Sequence, residues 1–181
     1  MDEIELEKLK EHYAILTQIV DGLWYLEVEK ELGFDKAYEI DEAVWERFSR
    51  KEAKRLKRLL GFENPSFEDI QKMLELAIFD QSLEFELIKE KEDPLTIRMD
   101  VSQCKTYRGM EKVGRPADQI YRICKGIGLA FFRNLLKAIV PETTVKCLFC
   151  PFGEGDEKIP EGSEYVCAWE FVLPLKEEKG D

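Results

Sequence analysis

The sequence predicts an α+β protein, with N-terminal helices packed on a mainly antiparallel sheet and one long helix between two strand pairs. Three observations lead there. Apolar residues in the first half recur at steps of three and four, the period of a helix. After residue 82 the period changes to two, that of a half-buried strand. Strands and helices do not alternate regularly, so hairpin links and an antiparallel sheet follow rather than a doubly wound one. At 181 residues and 44% apolar, the chain can bury one substantial core and is too short for two independent ones. It reads as a single domain over residues 1–175, helical over residues 1–80 and α+β over residues 81–175, with a frayed tail at 176–181.

From Glu3 to about Leu32 the residues Leu9, Tyr13, Leu16, Val20, Leu23 and Trp24 mark one amphipathic helix, and Gly33 is a stop. A second helix is expected from Asp35, its N-cap, with Ala37, Ile40, Val44, Phe48, Leu56 and Leu59 on one face before Gly61. After Asn64-Pro65, Ser66 and Asp69 stand at capping-box spacing ahead of Ile70, Met73, Leu74, Ala77 and Ile78, which predicts a third helix. Leu83, Phe85 and Leu87 then alternate with acids, and beyond Asp93-Pro94 so do Leu95, Ile97, Met99 and Val101 with polar residues. This is an antiparallel pair. Residues 102–118, broken by Gly109, Gly114 and Pro116, read as a polar connection into a helix from about Asp118 to Val140. Two more strands are expected, one on Val145, Cys147 and Phe149, the other from Tyr165 to Leu173. The loop between them, Pro151 to Ser163, contains Gly153, Gly155, Pro160 and Gly162.

No run of about 18 uncharged apolar residues occurs and the N-terminus is acidic, so neither a membrane span nor a secretory signal is expected and the protein is read as cytoplasmic. The net charge of −11 disfavours non-specific nucleic-acid binding, which needs clustered Lys and Arg. Charged residues, 36% of the chain and mostly Glu and Lys, together with scarce Asn (Asn64, Asn134) and a single His (His12), match a thermophile's protein.

The five cysteines, Cys104, Cys124, Cys147, Cys150 and Cys167, all lie in the second half. Residues three apart on an extended strand face opposite sides, so Cys147 and Cys150 can meet only if the chain turns at Cys150, where Pro151 follows. A hairpin centred on the last loop would bring Cys147 opposite or nearly opposite Cys167. Cys124 lies on the helical stripe Ile120, Cys124, Ile127 and Phe131, which should face the sheet. Four outcomes stay open: inert buried thiols, a zinc site on Cys124, Cys147, Cys150 and Cys167, a disulfide, or a reactive thiolate, for which Cys104 is the candidate.

Between Ser102 and Gly126 six basic residues face two acids, a local charge of +4. Arg115, and beside it Arg108, could hold a carboxylate or phosphate; equally, the charges could offset the acidic surroundings. Gly126-Ile-Gly128 falls inside a helix and is read as close packing rather than a phosphate loop. Glu27 continues the stripe of the first helix and Asp41 stands one turn before Trp45. Either carboxylate, if buried, could serve as a general acid or base. Trp24, Trp45 and Trp169 are core residues or walls of a ligand pocket.

Taken together, Trp24, Glu27, Gly33, Ala37, Asp41, Val44-Trp45, Cys104, Gly114-Arg115, Cys124, Pro141, Cys147-x2-Cys150-Pro151 and Cys167-Ala168-Trp169-x-Phe171 form a pattern. It resembles an uncharacterised prokaryotic family of cytosolic proteins related to the L-2-amino-thiazoline-4-carboxylic acid hydrolases and, more remotely, to the 4-vinyl reductase domain. The resemblance implies helices packed on an α+β unit with a ligand pocket, and opening of a small nitrogen- or sulfur-containing ring acid.

The first expectation is a binding protein for a small anionic molecule. Its pocket would be lined by Cys104, Cys124, Cys147 and Cys167, with Arg115, Arg108, Trp24 and Trp169 at the ligand and zinc as the cofactor it could carry. The second is a hydrolase of a small C–N or C–S ring or amide acid, using Cys104 or a metal-bound water with Glu27 or Asp41. The third is a structural or assembly protein, for which a homodimer is allowed.

Overall fold

The computed structural model describes residues 3–78 and 82–175, so the tail expected to fray lies outside the described residues. Two long helices open the chain, α1 (Glu3–Leu32) and α2 (Phe34–Leu60), with Gly33 between them. Gly33 has φ 81°, a left-handed conformation that glycine adopts without steric cost, so the chain reverses within a single residue. Asp35 therefore sits in the first turn of α2 rather than at its N-cap. The capping box forms as expected, with Ser66 and Asp69 exchanging hydrogen bonds at the start of α3 (Phe67–Leu76).

The sheet consists of β1 (Leu83–Lys91), β2 (Leu95–Cys104), β3 (Thr144–Phe149) and β4 (Cys167–Leu173), all antiparallel in the order β1-β2-β4-β3. Between the strand pairs run α4 (Lys105–Lys112) and α5 (Ala117–Lys137). The expected polar connection is thus half helical. Cys104 caps α4 by accepting the Tyr107 N–H at 3.3 Å, a role that spacing did not reveal. One face of the sheet, Ile97, Met99, Trp169 and Phe171, is buried against Phe131, Phe132 and Leu135 of α5. Phe132 makes ring contacts with both Trp169 (5.1 Å) and Phe171 (5.3 Å).

Helix α2 packs on α5 and on α1 and buries Ala37, Tyr38, Asp41, Trp45, Ser49, Ala53 and Leu56. This face is rotated from the expected one: Val44 and Leu59 point to solvent. Small residues on the buried face let the two helices approach, and glycine on α5 does the same. A Cβ at Gly128 would stand 2.7 Å from the Trp169 ring, and one at Gly126 would collide with the Tyr38 hydroxyl. The Gly-Ile-Gly sequence therefore serves close packing, as its helical position suggested.

The larger correction concerns α1. The stripe Leu9, Tyr13, Leu16, Val20 and Leu23 faces solvent, with Val20 67% exposed. The inward stripe is Ala14, Gln18, Asp21, Tyr25 and Val28, which repeats at the same steps of four and three. Periodicity identifies a stripe, but only the neighbours decide which of two stripes is covered.

Candidate functional site

The inward face of α1, the first half of α2, α4, the N-terminal half of α5 and the ends of β2 and β4 enclose a cavity of about 450 Å³. Its walls are apolar over most of their extent, including Ile15, Ile19, Met110, Ile123, Ile127 and Val166. Cys104, Cys124, Cys150 and Cys167 line it as well. Four cysteines scattered over more than sixty residues of sequence thus meet at one cavity. Burial pushes the thiols of Cys104, Cys124 and Cys167 up, which keeps them protonated.

Cys147 stands behind this wall. Pairing in the sheet puts it opposite Trp169, while Cys167 lies opposite Val101, so the Cys147–Cys167 alignment is displaced along β4. The chain does turn at Cys150, where Gly153 N–H donates to the Cys150 carbonyl (2.9 Å) and Cys150 N–H to the Glu157 carbonyl (3.2 Å). Lys125 and Tyr121 of α5 hold Glu157 at 2.7 and 2.8 Å and fix this loop. As a result the Cys147 thiol donates to Cys150, which pulls the Cys150 thiol down and leaves Cys147 the harder to ionise. All five cysteines are free thiols. A closed zinc site takes four ligands, and among the described residues no three His, Cys, Asp or Glu side chains are placed to hold a metal ion together.

The basic segment is largely consumed by pairing with the N-terminal helices and the last loop. Lys105 pairs with Glu11, Arg122 with Asp35 and Lys125 with Glu157. Arg115 is the most deeply held. Its fork takes both oxygens of Glu29 (2.9 and 2.6 Å) and Gln119 (2.8 Å), and its guanidinium lies 5.3 Å from the centre of the Tyr25 ring. An anionic ligand at Arg115 would have to displace Glu29. Arg108 lies outside the cavity, beside β1.

Of the carboxylates singled out above, Glu27 is 74% exposed, pairs with Lys30 at 3.5 Å and does not line the cavity. Trp24 also points outward, 44% exposed. Asp41 and Trp169, by contrast, both line the cavity. Asp41 is 4% exposed and is joined there by Asp21 of α1, which the sequence reading missed because α1 was assigned the wrong inner stripe. The Trp45 indole N–H is shared between the two carboxylates. Desolvation raises Asp21 to about 6, and desolvation with repulsion from Asp21 raises Asp41 to about 7. Around this pair, Gln18 Nε2, Tyr25 OH and Asp41 Oδ1 are buried without a hydrogen-bond partner among the described residues.

Fold and site together define a class: an α+β protein in which a helical layer and the end of an antiparallel sheet enclose an apolar cavity with one acidic polar end. The chain belongs to a family of unknown function, DUF6125, which it matches over residues 4–173. No curated protein and no solved structure matches it. Among the described residues no helix is long and apolar enough to cross a membrane.

Proposed function

We propose that the protein binds a small, largely apolar molecule in the cavity between α1, α2, α4, α5 and the ends of β2 and β4. The observation that carries this reading is the cavity of about 450 Å³, whose buried polar end holds three atoms without partners among the described residues. Leaving buried polar atoms unpaired costs about 1–3 kcal/mol each, a cost that a bound molecule would remove. Cavities of this size with a few convergent polar groups are the usual form of a small-molecule site. The cysteines contribute soft, weakly polar wall and are not required as metal ligands in this reading.

Gly22 provides the test. It lines the cavity from α1 and a Cβ there meets nothing within 4 Å, so Gly22→Trp places a ring in open space. Gently purified wild-type protein should carry an organic mass excess in native mass spectrometry that is lost on denaturation. Gly22→Trp should lack it while melting at the same temperature or higher. Equal ligand loading in both proteins, with the new indole shielded from a fluorescence quencher, would exclude the cavity as the site.

A second reading has one observation in its favour. Two carboxylates that titrate near neutral pH beside a cavity suit general acid–base catalysis, and the sequence pattern resembles a family of hydrolases. In that case Asp21 and Asp41 replace Glu27 as the acid–base pair, and the protein should hydrolyse L-2-amino-thiazoline-4-carboxylic acid. Wild-type protein without such turnover would remove this substrate.

A further inference from the structure

Resting on the cavity reading, we infer that the ligand is a primary amine on an apolar frame, its ammonium head held by Asp21 and Asp41 with the Tyr25 hydroxyl as third acceptor. The two carboxylates come from different helices and meet at the cavity's end, and Asp41 presents Oδ1 with no described residue bonded to it. Gln18, Asp21 and Tyr25 lie on one stripe of α1 at steps of three and four, so all three line the cavity from the same face of the helix. An ammonium brings three donors and no acceptor, which matches two carboxylates and one hydroxyl. Turning the Gln18 amide would offer a further carbonyl oxygen. Tyr25 and Trp45 also line the cavity, and a ring face turned toward an ammonium attracts it when water is excluded.

Charge around the site points the same way. On α1 and α2 the pair faces Tyr25, Trp45 and Tyr38, and the opposite walls bring the neutral thiols of Cys104, Cys124 and Cys167. Two cations line the same cavity, Arg115 and Lys105, and each is held by an acid of α1, Glu29 and Glu11 respectively, while Arg122 is held by Asp35. Among the described residues no ion pair joins the half-buried Asp21 or the buried Asp41 to either cation, and a ligand ammonium would supply one.

The experiment uses the full chain and three probes on one frame: 4-phenylbutylamine, 4-phenylbutan-1-ol and 4-phenylbutanoate. Binding is read by calorimetry and by the fluorescence of the cavity tryptophans Trp45 and Trp169. Near pH 8 the amine should bind at least about tenfold more tightly than the alcohol, the difference expected for a hydrogen-bonded charge pair. Near pH 5, where both carboxylates are protonated, that advantage should fall to about twofold or less. Asp41→Asn, and independently Asp21→Asn, should remove the amine's advantage and leave the alcohol's affinity unchanged. If the amine and the alcohol bind alike, or the carboxylate binds best, the ammonium head is wrong while the cavity reading survives. If none of the three binds, both fall.

Discussion

Asp41→Asn should stabilise the empty protein at alkaline pH and lose that advantage in acid. In the unfolded chain Asp41 titrates at its ordinary value of 3.8; in the folded protein burial, with the repulsion of Asp21, moves it to about 7. Between these values the native state binds the proton and the unfolded state does not, so stability falls as pH rises from about 4 to about 7 and then levels. At about 1.4 kcal/mol for each tenfold change in proton affinity, the ionised carboxylate costs about 4 kcal/mol above pH 8. Asparagine has nearly the same shape and never ionises. Urea denaturation of the two proteins across this range should therefore show the variant more stable by about 4 kcal/mol near pH 8.5, by less than about 2 near pH 5, and by almost nothing below pH 4. Parallel pH curves for wild type and variant would refute the buried carboxylate on which the site is built.

Other perturbations probe the rest of the site. Iodoacetamide near pH 7.5 should alkylate Cys104, Cys124 and Cys167 far more slowly in the native protein than in urea, since burial pushes all three thiols up; equal rates in the two conditions, read by peptide mapping over time, would deny their enclosure. Arg115→Ala should lower stability by about 3 kcal/mol, because it strands Glu29 half-buried, and adding Glu29→Gln should recover some of the loss; independent effects of the two changes would deny the pairing. Gly128→Ala, whose methyl would press on Trp169, should cost about 1–3 kcal/mol in chemical denaturation, and a neutral result would mean that α5 is not seated against β4 as described. Leu16→Lys and Leu23→Lys, on the outward stripe of α1, should each change stability by no more than about 0.5 kcal/mol; a loss of several would show that this face is covered in solution.

The order and type of the elements were legible in the sequence because each rests on local rules. Period, capping and turn residues announce the helices, the two strand pairs and the long α5 from residues close together in the chain. Asp41 beside Trp45, the turn after Cys150 and the packing role of Gly126 and Gly128 were legible for the same reason. The gathering of Cys104, Cys124 and Cys167 was half legible, since strand and helix faces can be counted while the register between β3 and β4 cannot. What lay beyond the sequence was which surface each face would meet. The stripe of Leu16, Val20 and Leu23 on α1 is the more apolar one, yet the structure turns Gln18, Asp21 and Tyr25 inward, so Asp21 was missed and Glu27 and Trp24 were placed inside. Arg115 was recognised as an anion fork, but its anion is Glu29, far away in the chain and invisible to spacing. Tertiary structure alone decided these points, because burial and charge pairing depend on through-space neighbours, whereas the elements themselves depend on contacts within a turn or two of the chain.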